Sequence, residues 1–253
     1  MAATRPQFEA APLVEAVFDC FAEQAAEAPQ LPALEQSFFS GFGEYGESTR
    51  EEWHLTTSRI EFKRGRATAY PAAEISGIRR WRDDRSRGVL VGPAVLALNV
   101  KPPYGHFEDH LPHLKELTAR FIELGAPARL QWLGHRYVNQ VEVGLDEELT
   151  AADLFTLYPR VPTARAKSHP PMAVQMEVAR FDGGSVMTTL ALAAKLPQKV
   201  IYSLDIYART DHEVEVNAEA VAEWHMRAHR FIMDAFLGSI TEVARRRFKE
   251  KSP

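Results

Sequence analysis

LGHRYVNQVEV, residues 133–143, alternates apolar and polar side chains like a β-strand, yet it carries His135, Arg136, Tyr137 and Asn139 through its middle. If the strand is regular, His135, Tyr137 and Asn139 share one face, and Arg136, Val138 and Gln140 the other. Extended back to Arg129, it opens the second of two similar passes along the chain. In that pass a helix follows over 150–158, then a Pro-rich loop through Pro171. AVQMEVARF, SVMTTLALAA and QKVIYSLDIYAR come next as three strands, with Asp182-Gly183-Gly184 as a hairpin turn. A long apolar-faced helix over 218–248, interrupted near Gly238, closes the chain.

The first pass has the same order. LVEAVFDCFAE (13–23) is a strand and PALEQSFFSGFGEYG (32–46) a helix, while SRIEFKRG and GVLVGPAVLALNV supply strand segments. HLPHLKELTARFIELG (110–125) is a helix with Leu111, Leu114, Leu117, Phe121 and Leu124 on one face and Gly125 at its end. The expected fold is therefore α+β, with two mostly antiparallel sheets, helices on one face, and pseudo-duplicated β-α-β-β-β-α halves. Residues 1–127 form an N-terminal lobe and 128–253 a C-terminal lobe, together one compact unit. The likeness of the halves lies in element order, not in a residue-level repeat. A single curved sheet around the last helix is the alternative.

Composition narrows the function classes. An apolar fraction of 45% and a charged fraction of 25% are those of a globular chain with a substantial core. One cysteine, Cys20, excludes an intramolecular disulfide framework and a Cys-rich metal site. Its place beside Phe18 and Phe21 suggests a buried, inert thiol. No apolar run approaches the roughly 20 residues of a membrane helix, and the first ten residues lack a secretory signal's apolar region. A cytoplasmic protein without membrane contact is expected.

The formal charge of −4 argues against a generally basic surface, but Arg59 to Arg87 hold nine Arg or Lys against four acidic residues. Arg79, Arg80 and Arg82, with Arg85, Arg87 and Trp81 available to stack, form a candidate patch for phosphate or RNA. A solvated hairpin partly neutralised by Asp83 and Asp84 is the simpler expectation, so nucleic acid is an unfavoured partner.

Metal and catalytic patterns are weak. His106, His110 and His113 follow at spacings of four and three, and His225 and His229 share a helical face, which are spacings that can ligate zinc. Pro112, however, sits where the first helix should begin and would leave His106 and His110 outside it. Ser185 and Ser239 lack the setting of a nucleophile elbow, and no phosphate loop or dinucleotide fingerprint is present. No cofactor is expected, and whether the chain is an enzyme stays open. PPYGHFEDH (102–110) and LFTLYPRVP (154–162) are loops suited to a partner, and Trp224, Phe231 and Phe236 suit core or dimer contacts.

Several of these elements together resemble the sporadically distributed TIGR04255 family of bacterial proteins. They are PLVEAVFDCFAE, GPAVLALNVKPPYG, LGHRYVNQVEV, the LDI of SLDIYAR, and AHRFIMDAFLGSIT. The family's arginine–tyrosine–hydrophobic–asparagine run corresponds to Arg136, Tyr137, Val138 and Asn139. Its late histidine corresponds to His229, ahead of Phe236, Ser239, Ile240 and Thr241. The resemblance covers roughly residues 11–245 and implies a bacterial cytoplasmic protein, without implying an activity, cofactor or catalytic set.

Two functional readings follow. One is a noncatalytic accessory or interaction protein that recognises a protein partner, a second copy or a polar ligand through a cleft near residues 135–139. Its binding set is His135, Arg136, Tyr137, Asn139 and His229. The other is a metal-dependent or acid–base enzyme using the histidines. In a purely structural version of the central strand, buried Tyr137 and Asn139 find partners and Arg136 fixes a carboxylate such as Asp205 or Glu142.

Overall fold

The computed structural model describes residues 7–22, 30–63, 66–125, 129–159, 171–215 and 217–251. In chain order its elements are β1 (Gln7–Phe8), β2 (Leu13–Ala22), α1 (Leu31–Phe39), β3 (Glu51–Lys63), β4 (Arg66–Trp81), β5 (Arg87–Gly92), β6 (Val95–Val100), α2 (Leu111–Glu123), β7 (Arg129–Gly144), α3 (Ala151–Leu154), β8 (Ala173–Phe181), β9 (Gly184–Lys195), β10 (Lys199–Arg209), β11 (Val214–Glu215), α4 (Ala218–Ser239), α5 (Glu242–Arg247) and β12 (Glu250–Lys251). The fold is α+β, as expected, but the strands do not form two sheets. Ten of them join in one hydrogen-bonded order, β3-β4-β5-β6-β2-β7-β10-β9-β8 with β11 on β7, and β1 pairs with β12 apart from it.

Two compact units divide the described chain. Residues 17–134 and 212–225 form one; 1–16, 135–211 and 226–253 form the other. The expected lobe boundary at 127/128 lies outside the described residues.

In the second of these units, β10 buries Val200, Tyr202, Leu204, Ile206 and Ala208 at every other position, and β9 buries Val186, Thr188 and Leu190 likewise. Register places Leu204 opposite Leu190 and Ile206 opposite Thr188, so the buried residues share one face. The hairpin between β8 and β9 closes at Phe181 and Gly184, and Gly183 takes φ +89° in the turn. Phe181 then stacks on Phe231 of α4 with ring centroids 4.7 Å apart.

The other unit differs most from expectation. β4 was not anticipated. RATAYPAAEISGIRRW is rich in small residues and contains Pro71, which weakens any strand signal. The ladder slips beside that proline, with Thr57 opposite Ala73 and Ser58 opposite Pro71, and a slipped register is where a strand tolerates proline. The first pass thus has four strands after its helix. α1 stops at Phe39 rather than continuing to residue 46, since Gly41 and Gly43 follow immediately. α3 is also shorter than expected, because Phe155 leaves the helix to bridge Ile240. The last helix is divided into α4 and α5 around Ile240, and Thr241 caps α5 by accepting from Ala244 N at 3.3 Å. The Pro-rich segment 160–170 lies outside the described residues. No described helix is long and apolar enough to cross a membrane.

Gly88 is required by a close approach. A Cβ there would lie 2.6 Å from the Trp81 ring directly across the ladder. Gly88→Ala is expected to lower stability by about 1–3 kcal/mol through overpacking, measured as a shift of the urea midpoint at unchanged m-value. A neutral result would contradict this packing.

Candidate functional site

β7 alternates as its sequence suggests. Leu133, His135, Tyr137, Asn139, Val141 and Val143 are buried, while Arg136, Gln140 and Glu142 are exposed. The buried face forms one cluster with α4. Tyr137 Oη and His229 Nδ1 are hydrogen-bonded at 2.9 Å, the phenol donating when that nitrogen carries no proton. The His135 ring lies nearly parallel to His229 with centroids 6.0 Å apart, and meets Tyr137 edge-on at 5.0 Å. Asn139 Nδ2 donates to the Leu204 carbonyl at 3.1 Å. His135, Tyr137 and Asn139 are 0%, 5% and 4% exposed, so they line packed interior, and the half-buried His229 is the most exposed of these four inward residues.

The opposite face carries Arg136. Its Nε and Nη2 donate to the two carboxylate oxygens of Asp205 at 2.9 and 2.6 Å, a bidentate pair with the arginine side chain 46% exposed. This is the carboxylate fixation anticipated for Arg136. Asp205 is opposite Thr189, and Thr189 opposite Gln175, whose amide donates to Thr189 Oγ1 at 3.3 Å. A polar row therefore runs across β7, β10, β9 and β8. Beside it, half-buried Met187 and Tyr207 face each other.

The arginines of the basic patch are employed differently. Arg80 donates to Glu35 from Nε (3.0 Å) and Nη2 (2.7 Å), and its guanidinium lies 4.7 Å from the centre of the Phe39 ring. Arg50 holds the same Glu35, so two cations close around one nearly buried carboxylate. Arg85 donates to Glu51, as does Trp81 Nε1, and the indole bond is the main reason the Glu51 carboxyl is held below its ordinary range. Trp81 is 2% exposed and so is not available to stack on a base, contrary to expectation. Arg79 lies over its ring, while Arg82 pairs through its backbone with Tyr45. Arg64, part of the same charge run, lies outside the described residues.

The histidines turn to separate partners. His106 caps a short 3-10 turn (Phe107–His110), and His110 Nε2 hydrogen-bonds the Tyr104 carbonyl at 2.7 Å. His113 Nε2 meets Tyr45 Oη at 2.7 Å, and its Nδ1 lies 3.4 Å from Glu116. Burial pushes His110 and His113 down and the Tyr45 phenol up. This Tyr45–His113–Glu116 chain was missed in the sequence because 68 residues separate the first two members. Among the described residues no group of three or more His, Cys, Asp or Glu side chains is placed to hold a metal ion. Cys20 is buried, and desolvation drives its thiol far above the usual range, as an inert thiol requires. Ser239 Oγ donates to the Ala235 carbonyl one helical turn back.

No family model, curated protein or solved structure matches this chain.

His225, in the unit of residues 17–134 and 212–225, makes folding stability pH-dependent. Fully buried with Phe18 edge-on at 5.7 Å, it is pushed down by desolvation from 6.5 to about 3. The unfolded chain takes up this proton below pH 6.5 and the folded chain does not. The associated stability is therefore complete above that pH and falls, by roughly tenfold in the folding equilibrium per pH unit, as pH drops toward the folded value. His225→Phe is expected to shallow the loss of stability between pH 6 and pH 4 by about one proton, followed by urea unfolding at each pH. An unchanged slope would show that His225 already titrates normally. Tyr137→Phe is expected to cost about 1 kcal/mol by removing the bond to His229, read by the same unfolding experiment.

Proposed function

We propose that this chain is a noncatalytic accessory or interaction protein that recognises a protein partner through the outward side of the 135–139 strand. The observation carrying this reading is the division of labour on β7. His135, Tyr137 and Asn139 are used inward, where Tyr137 bonds His229 and Asn139 bonds the Leu204 carbonyl. Arg136 remains outward, held rigid by Asp205 but nearly half exposed. A bidentate arginine on a sheet face that also carries Tyr207, Met187 and Gln140 suits a partner surface that offers both apolar contact and hydrogen-bond acceptors. On this reading the inward residues set the strand's position and the outward ones make the contact, instead of all acting around a common cleft. The reading keeps the chain with the bacterial TIGR04255 proteins it resembles, as a cytoplasmic component.

The test is native mass spectrometry of the protein isolated from its own host, comparing wild type with Arg136→Ala/Asp205→Ala. Removing both charges avoids stranding either one, and an exposed pair contributes at most about 1 kcal/mol to stability, so the variant should stay folded. A stoichiometric partner on the wild type that is retained at least tenfold less by the double variant is the expected result. Equal retention by both proteins would overturn the reading, as would a free oligomer holding stoichiometric metal.

A further inference from the structure

The sheet face that carries Trp81 in the 17–134 unit also carries an aromatic row absent from the reading above. Trp53 lies directly opposite Gly77, and Glu51 opposite Arg79, so these four share one side of the ladder with Trp81 and Gly88. Arg80 points to the other side, toward Glu35 and Phe39 of α1. Phe21 stacks on Trp132 with centroids 4.7 Å apart at 26°, and meets Trp53 at 6.3 Å and 44°. The floor beneath is apolar and mostly small, with Leu90, Ala94, Val95 and Ala97, and both tryptophans pack on it while staying half-buried. Trp53–Phe21–Trp132 is therefore a ladder of rings that keeps indole surface toward solvent.

Two cations lie on the same sheet side, over Trp81. Lys101 Nζ stands 4.2 Å from the centre of the Trp81 ring, and the Arg79 guanidinium 5.8 Å from it. Neither makes an ion-pair contact with a described carboxylate, although the Arg79 charge helps hold down the Glu51 carboxyl opposite it. Of the carboxylates on this side, Glu51 is taken by Trp81 Nε1 and Arg85, and Asp19 is buried. The geometry points to single-stranded nucleic acid as the occupant of this face, with bases stacking on Trp53 and Trp132 and phosphates meeting Arg79 and Lys101. A neutral sugar would use the indole faces but leave the cations without a counterpart, and an acidic peptide would use the cations but gain little from a ring ladder. An anionic chain bearing planar groups uses both. Trp81 contributes by holding the cations, while the stacking surface lies on the two other tryptophans.

The ligand test uses a short oligothymidylate at low and at raised salt, with tryptophan fluorescence as readout. Trp81 and Trp224, 2% and 3% exposed, supply an unquenched background. Binding should quench the remaining emission, and Trp53→Leu or Trp132→Leu should each weaken it roughly tenfold. Lys101→Gln should leave the quenching intact while reducing the salt slope by roughly 0.7. Trp132→Phe and Lys101→Gln preserve the filled apolar cluster and remain readable should a leucine variant unfold. Three outcomes overturn the assignment: no quenching at low salt, equal affinity in a folded Trp53→Leu/Trp132→Leu variant as read by the anisotropy of a fluorescently labelled oligothymidylate, or matching quenching by a neutral oligosaccharide. Since Arg136 and Asp205 take no part, failure here leaves the partner reading intact, and its failure leaves this one.

Discussion

The attachment of β7 to β10 is the constraint on which the candidate site depends. It is made on both sides of the sheet. Inward, Asn139 Nδ2 reaches the Leu204 carbonyl at 3.1 Å; outward, Arg136 grips Asp205, the next residue along β10, at 2.9 and 2.6 Å. A one-residue slip of β7 would exchange its faces, burying the arginine and exposing the amide, and both bonds would be lost together. The unfavourable alternative is what specifies the register. A buried guanidinium without its carboxylate costs far more than the exposed pair contributes in place. The same register delivers Tyr137 to His229, so the aromatic cluster under α4 is a consequence of the strand's setting.

That setting was legible because it is local. Alternation over residues 133–143 separates the two faces without knowledge of any partner, and Arg136 beside a candidate carboxylate follows from charge alone. β9 and β10 were legible for the same reason, each burying alternate residues, and β9 is entered from β8 through a Gly-containing turn. The failures occurred where the deciding neighbour is distant or the local signal is poor. β4 lacks β-branched and aromatic residues over most of its length, and its place in the sheet comes from a long ladder with β3 that no short window contains. The helix expected over 32–46 was overextended because Phe42 and Tyr45 continue the apolar pattern, whereas both belong to a buried aromatic group after the helix has ended. Trp81 seemed available because its neighbours in sequence are charged. It is buried because its neighbour across the ladder is a glycine.

The histidines illustrate a related limit. Spacing on a helix states which imidazoles can converge, but the nearest acceptor decides where each one turns. His110 takes the Tyr104 carbonyl six residues back, while His113 takes the Tyr45 phenol from another part of the chain. With Nε2 of each ring directed to a different partner, the two imidazoles do not turn toward a common point, and burial favours their neutral forms. These residues are therefore better understood as oriented polar members of an aromatic interior.

The location of the outward-facing polar groups follows from how each unit satisfies its interior. Where α4 covers β7 and β8, the aromatics and imidazoles find one another, as Tyr137 does with His229 and Phe181 with Phe231. Where α1 covers β4, Arg80 is consumed by Glu35 and Phe39. The polar and aromatic groups left facing outward lie on the opposite sides of those strands, and they are chemically different in the two units. Around Arg136 and Asp205 the charges are balanced and the apolar groups scattered, which favours a mixed protein surface. Around Trp53 and Trp132 the rings are contiguous, and Arg79 and Lys101 on the same sheet side leave an excess of positive charge, which favours an anion with stacking faces. A strand that buries one face therefore separates inward from outward roles at single-residue intervals, as Arg136 between buried His135 and Tyr137 illustrates.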